Sequence, residues 1–231
     1  ADSDKLFALM LTEHPLRILV VLGQGQAGMW VRNGLAIPGQ HYAYCGPSLC
    51  ESMYELDVLA LQLGCCAMGP DDFVRVLKHR FGVLQWLSGN GTVPKPEPTT
   101  ILLEELLNVL IQVLCERGHV SGLSPEALTR RRIVNRLALG QQTHSTLTRA
   151  LPRSVTQSEG FDAALAEVAD YRRPDSTQMG MFELKAPLLE AVDPFSGYFQ
   201  RKEREAVREY KRAKGLESFP HFPPPRSAYR A

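Results

Sequence analysis

The chain has no surplus of charge: across 231 residues, 26 Lys and Arg stand against 25 Asp and Glu, a net charge of +1. No global field therefore draws it to nucleic acid or to an anionic membrane. Cysteine is also scarce. Cys45, Cys50, Cys65, Cys66 and Cys115 are an odd number without a framework spacing, which excludes a disulfide scaffold and suits a reducing compartment. His41, Cys45 and Cys50 would supply three zinc ligands where a structural site takes four, usually as two close pairs, so the thiols read as small buried side chains. The apolar run at 101–114 carries Glu104 and Glu105 and is too short to span a bilayer, so no transmembrane helix is expected. The opening Ala1-Asp2-Ser3-Asp4 has no initiator Met, charged n-region or cleavage site, which reads as an excised segment rather than a secreted precursor. The expected compartment is the cytoplasm, with the nucleus as a second.

Signatures of chemistry are equally sparse. No G-x-S-x-G, caspase-like or papain-like pattern surrounds a Ser or Cys. His144 and Ser145 are adjacent, and neighbours on a helix diverge by about 100°, so they cannot act as base and nucleophile. Glu104-Glu105 and Asp71-Asp72 lack the spacing of a hydrolase pair, and Asp71-Asp72 sits where a helix start favours acid. Gly23, Gly25 and Gly28 form a G-x-G-x-x-G after the apolar run Ile18 to Leu22. A dinucleotide site needs a long helix at the third glycine, and Asn33-Gly34 and Pro38-Gly39 forbid one. These glycines read better as close-packing positions of a buried helix.

What is there is helix. Lys5 to Leu11 forms a short helix capped by Asp4, and Leu16, Leu19, Val20 and Ala27 with Trp30 lie on one face of a second helix started by Pro15. A Gly/Pro-rich irregular stretch follows through Pro47. Ser52 to Leu63 puts Met53, Leu56, Leu59, Ala60 and Leu63 on its inner face, with Gly64 and Gly69-Pro70 closing it. Phe73 to Leu87 is helical, Ser88 to Thr100 is a loop, and Ile101 to Arg117 is apolar nearly all round, the mark of a central buried helix.

Beyond Gly118 the texture changes. Ser124-Pro125-Glu126 starts a helix running to Gly140, Thr143 to Leu151 is a second and Glu159 to Tyr171 a third, followed by the strand-like Met181 to Lys185. Three helices and a hairpin are the order of a winged helix. Many winged helices bind DNA through the third helix, but here it carries Glu159, Asp162, Glu167 and Asp170, which would repel phosphate. Arg130, Arg131, Arg132 and Arg136 form a basic cluster on the first helix, whose outer face is expected to show its charges to solvent. A nucleic-acid-binding winged helix is the alternative reading. The fold class is thus mainly α: a multi-helix body over 1–117, a winged helix over 118–193, and a charged helix with a Pro-rich extended tail over 194–231.

His14-Pro15-Leu16-Arg17 and the string GMWVRNG, Gly28 to Gly34, resemble the central helical region of the N-recognin E3 ubiquitin ligases, the UBR-box family. The run TTILLEELLNVLIQVLCER resembles a helix of that family, and Arg132 to Leu139, His144-Ser145-x-Leu147 and Gly180 to Lys185 resemble its winged-helix segment. The resemblance implies a scaffold segment of a RING-type ligase of the N-degron pathway. Its partners would be the other domains of the same ligase, an E2 enzyme and N-degron substrates, with no membrane. It implies zinc in the UBR box and RING of the parent and no cofactor, metal or catalytic residue in this segment. His14, Arg17, Trp30, Arg32, Asn33, His144 and Ser145 are expected to be structural hydrogen-bonding and packing positions.

Overall fold

The computed structural model describes residues 2–30, 36–46, 53–89, 96–116, 120, 123–174, 179–196, 199 and 201–216. Residues 2–26 form one helix, α1 (Asp2–Gln26), rather than two, and Pro15 lies inside it. Proline removes one backbone hydrogen bond and crowds the preceding turn. Tertiary packing offsets this, because Leu16 and Ala8 are buried in the body's core. The Thr12 hydroxyl donates to the Ala8 and Leu9 carbonyls, at 3.0 and 3.2 Å, in the turn ahead of the proline.

Gly28 ends α1 with φ of 67°. Its N–H reaches the Gly25 carbonyl at 3.1 Å and that of Met29 reaches Gln24 at 3.0 Å, the paired bonds of a Schellman stop. Gly23 lies within the helix against α6 (Pro96–Cys115), where an added Cβ would meet Glu105 and Leu102 at 3.5 Å. One glycine of the G-x-G-x-x-G is thus a packing position and another a helix stop. No strand precedes them.

The stretch expected to be irregular holds α2 (Ala36–Cys45), with Pro38 in its first turn, where the amide has no helical acceptor in any case. α3 (Met53–Met68) runs past Gly64, which is a point of close approach rather than an end: a Cβ there would overlap Thr12 Cγ2 of α1. This contact turns α3, so that Val58, Leu61, Gly64 and Met68 are buried while Met53, Leu56 and Leu63 of the expected inner face are exposed. Periodicity alone offered two apolar stripes, and the glycine settled which one packs. α4 (Pro70–Arg80), with Asp71 and Asp72 in its first turn, and α5 (Leu84–Leu87) replace one longer helix, and Phe81 and Val83 are buried in the turn between them.

α6 begins within the expected loop and buries Leu102, Leu106, Val109 and Val113, whereas Leu107 and Leu114 are exposed, so it is one-sided rather than enclosed. Residues 3–26 and 97–115 are long and apolar enough by length and composition to cross a membrane. Here they pack on each other through Gly23 and share a core with α3 and α4 built on Leu16, Leu61, Phe73, Leu77 and Leu106.

The second body is assembled from α7 (Pro125–Leu137), α8 (His144–Arg149), α9 (Arg153–Thr156), α10 (Phe161–Val168), β1 (Ala169–Arg172) and β2 (Met181–Leu184). Ser124 and Thr143 cap α7 and α8 by accepting from the amides of Ala127 and Thr146, at 3.3 and 3.2 Å. The expected third helix gives way at Ala169. There the chain turns into β1, which pairs antiparallel with β2 in the register Tyr171 opposite Phe182, their rings 4.9 Å apart. Gln142 and Phe182 exchange backbone bonds of 3.0 and 2.8 Å on the other side of β2. The core of this body, Ile133, Leu147, Phe161, Leu165, Val168 and Val192, also takes in Phe199 and Val207, the latter on α11 (Arg201–Ala213).

Candidate functional site

The feature joining the two bodies is built on α7. Its apolar residues Ile133, Val134 and Leu137 face the winged-helix core, and its arginines spread over the rest of the circumference. The expectation that they face open solvent is not met, because each ends on a carboxylate. Arg130 Nε donates to Glu167 Oε1 of α10 at 2.8 Å, and Arg136 Nη1 donates to Glu203 Oε1 of α11 at 3.2 Å. Arg131 grips Glu116, at the end of α6, with both nitrogens, at 2.7 and 3.2 Å, and lies 3.5 Å from Asp193. Arg132 pairs with Glu55 of α3. Two of the four pairs therefore hold the winged helix to its own neighbouring elements, and two cross to the helical body.

Desolvation sets how much the crossing pairs matter. Arg132 and Glu55 keep only 17% and 14% of their side-chain surface, and Glu116 keeps 15%. Burial alone would lower the Arg131 guanidinium, but the charges and hydrogen bonds of Glu116 and Asp193 outweigh it and leave its pKa above the ordinary value. Asp193 organises the corner: its amide donates to Asn135 Oδ1 at 3.2 Å, and its carboxylate accepts from the Phe195 amide at 2.9 Å. The Phe195 carbonyl in turn accepts from Gln112 of α6, a third crossing bond. Gln62 of α3 donates to the Val113 carbonyl at 3.1 Å and to that of Glu116, satisfying the open end of α6 where the joint begins.

The residues singled out by the family string do not converge. His14 and Arg17 are exposed on α1, Arg17 pairing with Glu13 at 3.0 Å. Trp30 is 42% exposed and donates to Gln24 Oε1 at 3.2 Å. Arg32 and Asn33 lie outside the described residues. His144 opens α8 with its ring 6.0 and 6.1 Å from those of Phe161 and Phe182, and Ser145 Oγ lies 3.1 Å from Thr143 Oγ1. Among the described residues no cluster of His, Cys, Asp and Glu is placed to hold a metal ion; Cys50 and the side chains of His41 and Cys45 lie outside them.

Glu55, Glu116, Asp193 and Gln112 were not singled out by the sequence reading. The one available signal was the cluster of four arginines within seven positions, which names no partner. The partners were hidden, since Glu55 lies 77 positions from Arg132.

The family model of the UBR1/2/3-like ARM repeat domain matches residues 1–111. That of the winged-helix domain of UBR1-like E3 ubiquitin-protein ligases matches residues 128–218. The mouse E3 ubiquitin-protein ligase UBR2 is 32% identical over 216 residues, covering 88% of this chain and 12% of the relative. The Arabidopsis thaliana ligase PRT6 is 33% identical over 88% of the chain and 10% of its own length, and human UBR3 is 33% identical over 80% and 10%. The chain thus spans about an eighth or less of these relatives. With family models of this ligase group matching both bodies and relatives 32–33% identical over most of the chain, the chain belongs to the UBR1/2/3 family of E3 ubiquitin-protein ligases.

Proposed function

We propose that this segment is a rigid spacer within an N-recognin-type E3 ligase, setting the distance between the degron-reading module and the RING that binds the E2. Ubiquitin transfer to a substrate lysine requires the lysine to meet the thioester, and fixed separation supplies this as effective concentration rather than as side-chain chemistry. The observation that carries the reading is the joint. Arg131 and Arg132 cross from the winged helix to Glu116 and Glu55, and half-buried, hydrogen-bonded pairs of this kind oppose rotation of one body on the other.

On this reading the degron, the E2 and the zinc ions of the UBR box and RING belong to other parts of the parent ligase, and the compartment is cytoplasmic or nuclear. The test is ubiquitination of an N-degron substrate by the full-length parent carrying Arg131→Ala/Arg132→Ala, or lacking the winged helix, with degron and E2 binding measured separately. Ligation should fall while both binding steps persist. Unchanged ligation removes the spacer role.

A further inference from the structure

Gln142 and Phe182 exchange both of their backbone bonds, so Phe182 turns its N–H and C=O away from β1. Strand geometry repeats every two residues, and Leu184 therefore turns its own pair the same way. If the ladder continued, residue 140 would be its partner, because a step forward on one antiparallel strand is a step back on the other. Gly140 does not close it. Its φ is 124°, and its amide ends α7 by donating to the Leu137 carbonyl at 3.1 Å. The ladder stops after one rung, and the N–H and C=O of Leu184 have no hydrogen-bond partner among the described residues. Beside this open edge lies a groove of about 560 Å³ walled by Leu137, Ala138, Leu189, Tyr210 and Leu216.

α11 delivers the chain to that groove. Gly215, with φ of 72°, and Leu216 form its stop, their amides reaching the Arg212 and Lys211 carbonyls at 2.9 and 3.0 Å, and Leu216 packs against the winged-helix core. The Pro-rich tail, residues 217–231, follows directly and lies outside the described residues. We propose that its segment 219–225, FPHFPPP, docks in the groove as an added strand beside Leu184. One donor and one acceptor on an open edge are matched by one residue of another extended backbone. His221 supplies both, and Pro220 then falls at an outward position, where a missing N–H leaves no ladder bond unmade. Phe219 and Phe222 bring apolar surface to walls of leucine and tyrosine, and the three prolines after them favour an extended chain beforehand. The five residues 217–221 span up to about 17 Å, enough to cross a groove that Leu184 and Leu216 both line. So short a tether gives this segment an effective concentration of about millimolar, which favours it over a peptide from elsewhere.

The experiment is amide hydrogen exchange on the full chain, read by NMR at Leu184. The Lys185 amide, bonded to the Val168 carbonyl at 3.0 Å within the hairpin, reports that the hairpin is intact. Leu184 should exchange about tenfold or more slowly in the wild type than in Phe219→Ser/Phe222→Ser, with Lys185 equal in both. His221→Pro keeps both rings but removes the donated bond, and should speed Leu184 by about threefold or more. Undiminished protection in either variant overturns the proposal, and so does rapid exchange of Leu184 in the wild type. Protection that survives both variants but is lost on dilution would assign the groove to a second copy of the chain instead.

Discussion

Arg132 of α7 and Glu55 of α3 form an ion pair across the junction of the two bodies, with 17% and 14% of their side-chain surface left accessible. An ion pair this shielded costs more to break than it contributes when made, because the surviving charge is left without its partner. Arg132→Ala should therefore destabilise the chain by about 2–3 kcal/mol in urea unfolding, and Glu55→Gln by about 1–2 kcal/mol. The double variant Arg132→Met/Glu55→Leu should recover most of that loss. If the double variant is as unstable as Arg132→Met and Glu55→Leu added together, the two residues are not coupled.

Gly64 and Thr12 make a second contact that can be tested by itself. A methyl at position 64 would overlap Thr12 Cγ2, and both residues are buried between α1 and α3. Helix propensity favours Gly64→Ala by about 1 kcal/mol, but overpacking of this kind costs about 1–3 kcal/mol, so a net loss is expected. Thr12→Ser removes the clashing methyl while keeping the hydroxyl that donates to Ala8. Added to Gly64→Ala it should restore stability to wild type or above. A Gly64→Ala protein already as stable as wild type would show that the helices are not in close contact there.

The same contact shows how far the sequence could be read. The helix starts at Ser124 and Thr143, the hairpin strand at Met181 and the order of the two bodies are local signals, and each was legible. The buried face of α3 was not, because Met53, Leu56 and Leu63 make as good a stripe as Val58, Leu61 and Met68 until Gly64 meets Thr12. Pro15 looked like a helix start because the rule for proline is local, while its tolerance inside α1 depends on packing from elsewhere. Ala169 to Tyr171 continued a helical pattern that only the ladder with β2 could overrule. The joint was least visible of all. An arginine advertises charge, but its partner is set by a tertiary contact between positions far apart in sequence.

Trp30 offers a check on the family string. Its indole N–H donates to Gln24 Oε1 at 3.2 Å from a half-exposed position. Solvent competes for such a bond, so Trp30→Phe should change the unfolding free energy by no more than about 0.5 kcal/mol. If the full-length ligase nevertheless loses ligation with Trp30→Phe, the ring meets a neighbouring domain and is not merely packing within this segment.

Lys211 gives a pH dependence of definite sign. It is 1% exposed on α11, and its Nζ donates to the carbonyls of Val192 and Glu190 at 2.7 and 3.2 Å. Burial pushes its pKa below the ordinary lysine value, against the opposing pull of Asp193 and Glu190. The folded state therefore holds fewer protons than the unfolded state in the window below the unfolded lysine pKa of about 10.4. Unfolding free energy then rises with pH through that window, as the buried ammonium gives up its proton while its amine still donates to both carbonyls. Lys211→Met removes the charge but leaves those carbonyls without a donor, and should cost about 1–2 kcal/mol near pH 7. Other groups titrate alike in the two proteins, so the difference between them isolates Lys211. Urea unfolding at pH 7 and pH 10 should show wild type gaining on Lys211→Met as pH rises. A gap that narrows would mean that the ammonium is held above its ordinary pKa, with Asp193 and Glu190 outweighing burial.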